Sequence, residues 1–329
     1  MREDVRDIVG CPRCHAPLSS ASREPAALVC ASAGCALSNA AFPIVAGCPV
    51  LIDFEDSIVQ QAALEARMGA SSIARSTGWT ARLRDLLIGG NTVAAANCQA
   101  FVDELRGKSA NPRILVIGGG LKGAGTDALY DTPGIRLIAT DIFASEIVDV
   151  VADAHRLPFA SGSFDGVWIQ AVLEHVLEPH RVAEEIHRVL GPLGLVYAET
   201  PFMQQVHEAA YDFTRFTRNG HRWLFRRFEE VRSGNVGGAA QSLLWSMRYF
   251  VRTLTRSHTL GIVGAAPFFW LRYVDRFSND RWASDAACGV FFLGRRSERR
   301  LSPRDMITYY PGPDRSALRR PAYGQRQQG

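Results

Sequence analysis

From residue 113 onward, short apolar runs alternate with stretches of helical spacing. Ile114 to Ile117 is apolar throughout and mostly β-branched, which predicts a strand buried on both faces, as in a parallel sheet. Arg136–Thr140, Ile147–Val151, Phe164–Gln170 and Leu195–Glu199 repeat that signature. Between the last two, Val182–Val189 reads as a helix with Glu184, Glu185, His187 and Arg188 toward water. Gly191-Pro192-Leu193-Gly194 reads as its stop. A further helix is expected from residue 221, then strands at Phe228–Arg232 and Gly289–Gly294. Strand and helix in alternation predict an α/β fold, a doubly wound, Rossmann-like sheet of seven strands.

The first 56 residues follow another pattern. Cys11-Pro12-Arg13-Cys14 is a C-x2-C pair, and Cys30 and Cys35 form a C-x4-C pair after 15 intervening residues. Such pairs sit on turns that aim two thiolates at one ion, so Cys11, Cys14, Cys30 and Cys35 are candidate ligands of a tetrahedral zinc. A segment this small buries little apolar surface, and metal binding would supply its folding energy. Four unconnected buried thiols are the alternative. Residues 57–110 read as a helical connecting segment: Gln60–Ala70 is Ala-rich, Gly89-Gly90-Asn91 is a break, and Thr92–Leu105 resumes helical spacing. Cys98 falls on its buried side.

Chemistry concentrates after the first large-sheet strand. Gly118, Gly119, Gly120, Gly123 and Gly125 follow Ile117 directly, and Thr126–Tyr130 is placed to open a helix. Glycines there permit a tight turn and let a ligand approach the backbone. Gly118, Gly120 and Gly123 fit GxGxxG, shared by dinucleotide and S-adenosylmethionine (SAM) sites, and also compatible with a turn that binds nothing. Asp141 ends the second strand, 21 residues past Gly120. An acid there can accept both ribose hydroxyls of an adenosine. These residues alone suit NAD or SAM.

Later residues separate the two. Val151-Ala152-Asp153-Ala154-His155-Arg156-Leu157-Pro158-Phe159, Ser163-Phe164-Asp165-Gly166-Val167-Trp168, Leu173-Glu174-His175-Val176-Leu177 and Arg188-Val189-Leu190-Gly191-Pro192-Leu193-Gly194 resemble, in order, motifs of class I SAM-dependent methyltransferases of the type 11 group. The resemblance implies that Gly118 and Gly120 meet the methionyl part of SAM and Asp141 its ribose. Asp153 and the Ala154 backbone would sit at the adenine amino edge, and Gln170 near the methionyl end. Asp153 also reads as a helix cap or turn acid, Asp165 as a turn acid, and His175 as packed beside the cofactor. The family carries an acid where this chain has Val116. The resemblance makes Gly289–Gly294 the seventh strand, the antiparallel edge strand of the sheet.

Thr200-Pro201-Phe202-Met203-Gln204-Gln205-Val206-His207-Glu208 and Tyr211-Asp212-Phe213-Thr214-Arg215-Phe216-Thr217 resemble the loop that covers the acceptor pocket in type 11 relatives. His207 is the candidate base, since imidazole titrates near working pH. Tyr211, Asp212 and Arg215 are candidates to position the substrate. The alternative is a loop held by its own Asp–Arg pair with His207 merely exposed. The N-terminal stretch resembles the small zinc-ribbon family that includes methyltransferase activators. That resemblance rests on Ile8-Val9-Gly10-Cys11-Pro12-Arg13-Cys14, Pro17-Leu18, Leu28-Val29-Cys30 and Phe42-Pro43-Ile44-Val45-Ala46-Gly47-Cys48-Pro49-Val50-Leu51. Cys48, where that family has an aliphatic residue, reads as a core thiol.

Charge changes the picture only locally. The net charge of +4 is mild, and nine Arg against three acids from Arg295 onward place much of the excess in a tail expected to be disordered after Arg296. No basic-aromatic platform marks the ribbon, so nucleic acid is not an expected partner. Between the last two strands, a helical insertion over about 238–286 carries Arg248, Arg252 and Arg256 at i, i+4 and i+8 beside Leu243, Leu244, Met247, Phe250, Val251 and Leu254. With Phe268-Phe269-Trp270, segment 243–271 reads as a peripheral membrane contact, a substrate lid or a homodimer face. Leu260–Leu271 is twelve residues, too short to span a bilayer. Seven Cys without an N-terminal apolar stretch point to thiols and metal, and to the cytoplasm. The chain therefore reads as a zinc-ribbon SAM-dependent methyltransferase acting on a hydroxyl of a glycan, lipid-linked or small natural-product substrate. A non-catalytic binding or regulatory protein is the alternative, and an NAD oxidoreductase the third reading.

Overall fold

The computed structural model describes residues 1–20, 27–45, 47–66, 92–310 and 312–313. Leu18–Ser20 (β1), Ala27–Cys30 (β2), Ala41–Val45 (β3) and Cys48–Pro49 (β4) form a small antiparallel sheet in sequential order. The large sheet contains Arg113–Ile117 (β5), Arg136–Asp141 (β6), Val150–Val151 (β7), Phe164–Gln170 (β8), Leu190–Pro201 (β9), Phe228–Val236 (β10) and Gly289–Arg296 (β11). Its order is β10-β11-β9-β8-β5-β6-β7, parallel from β9 to β7, with β11 antiparallel to both neighbours, so the expected edge strand at 289–294 lies inside the sheet and β10, paired along its length with β11, forms the edge. The alternation of strand and helix leads to this doubly wound sheet. Because β5 lies between β6 and β8, the chain leaves it first to one side and later to the other. The crevice at its carboxyl end is where ligands bind in such sheets.

Helices cover both faces. Thr92–Arg106 (α1) buries Cys98, Phe101, Val102 and Leu105, and the Phe101 ring meets Trp168 edge-on at 5.5 Å. Trp168 in turn stacks on Tyr197 at 3.9 Å. Asp127–Asp131 (α2) is a single short turn after the glycine loop. Pro179–Val189 (α3) starts on a proline, whose missing N–H costs nothing at a first turn, and buries Val182, Ala183, Ile186 and Val189 on the other face. Arg218–Leu224 (α4) follows the 202–217 loop. Ala239–Thr255 (α5) and His258–Ala265 (α6) pack together between β10 and β11.

The small sheet shares its core with the large one. Val5, Ile8, Leu28, Phe42 and Leu51 belong to one buried cluster with Leu115, Ile117, Phe159 and Ile169. Backbone bonds cross the boundary: Gly10 N donates to Pro158 O at 2.9 Å, Ala160 N to Ile8 O at 2.8 Å, and Leu51 N to Val151 O at 2.8 Å. Val50 bridges Val151 in parallel and so covers the β7 edge. Asp56 accepts from Arg156 and Arg181, each at 2.5 Å. Each fully buried aliphatic or aromatic side chain contributes roughly 1.5–3 kcal/mol, against about 0–1 for an exposed ion pair, so the apolar contacts dominate this junction.

Several elements differ from the sequence pattern. β7 has only two residues, because the Asp149 carboxylate takes the Ala139 N–H at 2.9 Å that a longer strand would bind. The expected stop at 191–194 is a bulge within β9: Leu190 already pairs with Phe164, and the register shifts before Leu195 meets Gly166. Arg256 leaves α5 in a left-handed cap with φ 54°, so only Arg248 and Arg252 of the basic series lie on the helix. The expected disorder after Arg296 gives way to a helix, Pro303–Tyr309, where Ser302 and Asp305 form a capping box and the Tyr309 hydroxyl meets Ser233 Oγ at 3.0 Å. The rest of the tail, 314–329, and all of 67–91, including the expected break at 89–91, lie outside the described residues. No described helix is long and apolar enough to cross a membrane.

One core residue makes the fold acid-sensitive. His221 on α4 is buried beside Phe216 and Phe225, and burial pushes its pKa down to about 3. An unfolded histidine titrates near 6.5. The group's stability contribution is therefore complete above about pH 6.5 and is lost as pH falls toward 3, at up to about 1.4 kcal/mol per pH unit. Urea denaturation across that range should show a shallower loss for His221→Phe than for the wild type. Equal slopes would remove His221 from the account.

Candidate active site

The carboxyl ends of β5, β6, β8 and β9 gather the residues that the cofactor reading named. Gly118 has φ +74°, and a Cβ there would lie 2.3 Å from Val172 Cγ2. Gly120 N donates to Asp141 Oδ2 at 2.8 Å, and a Cβ on Gly120 would meet that oxygen at 2.7 Å. The loop thus presents bare backbone beside a carboxylate. Asp141 also accepts from Phe143 N at 3.3 Å. Burial pushes its pKa up, against the pull of these backbone bonds. Gln170, at the end of β8, reaches over the loop, its Nε2 donating to Ala124 O at 3.3 Å. Val116 is buried on β5.

Asp153 follows β7, next to this cluster, and Ala152 N donates to Asp141 O at 2.9 Å. Its carboxylate has three protein donors. Oδ1 accepts from His155 N at 2.9 Å and faces His155 Nδ1 at 2.6 Å; Oδ2 accepts from Ser57 Oγ at 2.5 Å. Burial raises its pKa, but the bonds from His155 and Ser57 outweigh this and hold it low. Asp153 caps the turn that begins with buried Ala154, and ties it to the segment leaving the ribbon. Asp165 accepts from Arg113 N at 2.8 Å, a turn role.

On the acceptor side, Asp212 and Arg215 pair with each other. Arg215 Nη2 meets Asp212 Oδ2 at 2.8 Å, Nη1 contacts Oδ1, and the guanidinium also donates to the carbonyls of Gln204, Gln205 and Thr214. Burial raises the Asp212 pKa, yet the Arg215 bonds and charge hold it well below the usual carboxylate range. His207 N donates to Asp212 Oδ2 at 2.8 Å, with Nδ1 3.3 Å from the same oxygen. Tyr211 is exposed at the rim. A cavity of about 500 Å³ opens beside this pair, lined by Gln204, Gln205, Asp212, Thr214, Arg215 and Tyr249.

The loop rests on Glu174, whose carbonyl accepts from Phe213 N at 2.8 Å. The side chain of Glu174 is fully buried, and burial pushes its pKa up to about 8. His175 and His207 face it, their rings 5.1 Å apart. Sequence reasoning gave Glu174 no role, since nothing local shows that a loop more than 30 residues later closes over it.

In the ribbon, the four named cysteines converge. Cys11 Sγ and Cys35 Sγ are 3.7 Å apart, Cys14 Sγ and Cys30 Sγ 3.5 Å, and all four sulfurs lie within 4.8 Å of one another. A tetrahedron with zinc–sulfur bonds of about 2.3 Å has edges of about 3.8 Å, so the donor set fits zinc. Ser32 N and Leu37 N donate to the Cys30 and Cys35 sulfurs at 3.4 Å, orienting them. Cys48 is buried apart, among Val50, Ile52 and Val148.

Adding a methyl group to the glycine loop tests its geometry. Gly118→Ala should cost about 1–3 kcal/mol in chemical denaturation, because it combines a left-handed backbone with the Val172 contact. Val172→Ala in the same chain should recover part of that loss. Full stability in Gly118→Ala alone would contradict the loop conformation.

Residues 115–198 match the family model described as a methyltransferase domain. No curated protein matches the chain in sequence. Among solved structures, Haemonchus contortus phosphoethanolamine N-methyltransferase 2 in complex with SAM is 16% identical over 67% of this chain and 57% of that one, with a TM-score of 0.42. Streptomyces coelicolor geranyl diphosphate C-methyltransferase is 16% identical over 61% and 76%, with a TM-score of 0.41. The [4+2]-cyclase SpnF is 16% identical over 62% and 81%, with a TM-score of 0.38. Residues 115–198 are thus similar to a methyltransferase domain, and they lie within a seven-stranded, Rossmann-like sheet.

Proposed function

We propose that this chain is a SAM-dependent methyltransferase whose acceptor is a hydroxyl of a glycan, lipid-linked or small natural-product substrate. The observation that carries the reading is the bare Gly118–Gly120 backbone beside Asp141 at the sheet's switch point, inside the matched methyltransferase domain. When bound, SAM supplies the electrophilic methyl group. Gly118 and Gly120 leave room for its methionyl end. Asp141 exchanges the Gly120 N–H for the ribose hydroxyls. Asp153 and Ala154 border the adenine edge, and Gln170 the methionyl end. Alignment of acceptor and methyl carbon supplies most of the rate, through positioning.

His207 takes the acceptor's proton. Its Nδ1 lies 3.3 Å from the Asp212 carboxylate, whose charge favours the imidazolium that proton transfer would form. Arg215 holds Asp212 in that position, and exposed Tyr211 meets the acceptor at the rim. Zinc on Cys11, Cys14, Cys30 and Cys35 holds the ribbon against the sheet. A second reading, a non-catalytic binding protein, is favoured by Val116 and by the filled oxygens of Asp153.

Calorimetric titration with SAM, S-adenosylhomocysteine and NAD separates these readings. Micromolar binding of SAM or its product, at least about tenfold weaker in Asp141→Ala, supports the enzyme. Absence of binding to both sinks it, and binding of NAD alone would favour the oxidoreductase. The ribbon has its own test. The purified chain should hold zinc that Cys30→Ser loses, with a melting temperature several degrees lower, because the ribbon's core residues are also the sheet's.

A further inference from the structure

Among the described residues, Glu174 is a fully buried carboxylate under the 202–217 loop that has no hydrogen-bond donor on either side-chain oxygen. Its side chain is 1% exposed, and neither Oε1 nor Oε2 has a partner. A buried carboxylate in that state costs several kcal/mol unless a cation or proton answers it. Two imidazoles stand close by. His175 Nε2 lies 3.8 Å from Glu174 Oε1 and His207 Nε2 lies 4.0 Å from it, both too far for a hydrogen bond.

The far nitrogen of His175 fixes its tautomer. His175 Nδ1 is 2.7 Å from the Tyr211 carbonyl, which can only accept, so Nδ1 carries the proton. His207 Nδ1 lies 3.3 Å from Asp212 Oδ2. His175 Nε2 therefore holds a lone pair beside the carboxylate oxygen that His207 Nε2 also approaches. Three potential electron-pair donors meet here, and His175 is oriented through its far nitrogen by an oxygen, as metal-bound histidines are.

We propose that Glu174, His175 and His207 form a binding site for a divalent transition-metal ion. One donor atom from each residue lies within 4.8 Å of the other two, and an ion among them would stand about 2.5 Å from each, a few tenths of an ångström beyond usual bond lengths. Small rotations of the imidazoles close that gap. Two imidazoles and a carboxylate favour zinc, iron, cobalt or nickel over magnesium and calcium, which take oxygen ligands. Three protein ligands leave further positions on the ion open. His207 belongs to the loop, while Glu174 and His175 follow β8, so an ion here would also fasten the loop to the sheet. The ion and an acceptor proton claim the same His207 lone pair. The inference rests on this cluster alone and stands whether or not the chain transfers methyl groups.

The test uses the full chain with its four-cysteine site loaded with zinc, dialysed against Co²⁺. Elemental analysis should find one Co²⁺ per chain with the zinc retained, and an absorption spectrum without thiolate-to-cobalt charge transfer. His207→Ala and His175→Ala should each weaken Co²⁺ binding at least about tenfold, and Glu174→Gln should do the same while keeping the shape of the side chain. His207 lies on the loop surface, so circular dichroism should show that variant folded. No Co²⁺ uptake by the wild type, uptake only by displacing zinc from the cysteines, or unchanged affinity in His207→Ala would each overturn the proposal.

Discussion

Burial of β5 on both faces is the constraint from which the rest follows. Ile114, Leu115, Val116 and Ile117 have no wet side, so the strand must be flanked by strands on both edges and covered on both faces. Right-handed crossovers then place β6 on one edge and β8 on the other, and a crevice must open where the paths diverge. The glycine loop occupies that point because a side chain there would strike Val172 or Asp141. The acceptor loop also follows from the sheet, since β9 delivers residues 202–217 to the same end.

The ribbon is bound to this arrangement more closely than its small size suggests. β7 ends the sheet with two residues, and an open edge of that kind needs cover. Val50 and Leu51 supply it through Val151, and Ser57, a few residues on, reaches the carboxylate of Asp153. The strand that borders the proposed adenine edge is thus held from outside by the N-terminal sheet. If the cysteines hold zinc as proposed, its loss would reach the proposed cofactor side through this contact without any residue of the ribbon entering the crevice.

Local signals in the sequence were enough for the sheet, the glycine loop and the cysteine pairs, because each depends on residues close together in the chain. Ile114–Ile117 and the glycines are adjacent, and C-x2-C sets two sulfurs by spacing alone. Boundaries failed where a side chain replaced a backbone partner, as Asp149 does at β7, or where a bulge replaced a stop, as in β9. Partnerships across the chain were not legible. Ser57 and Asp153 are 96 residues apart, and no spacing rule links them. The internal Asp212–Arg215 pair stood among the alternatives, since the two residues are three apart. The meeting of Glu174 with His207 depends on how a loop folds back over a turn.

That last meeting bears on how the acceptor side is built. A loop held only by the Asp212–Arg215 pair would be stiff within itself but weakly tied to the sheet. Among its ties are the Glu174 carbonyl, which takes Phe213 N, and the Tyr211 carbonyl, which takes His175 Nδ1. Both converge on the turn after β8, where the buried Glu174 carboxylate lies unanswered. An unpaired buried carboxylate is costly, and a leucine of similar size would remove the cost. Its presence between two imidazoles is therefore better explained by what those three groups bind together than by packing. On that proposal, the loop's position would depend on the occupancy of that site as well as on the contacts of its backbone.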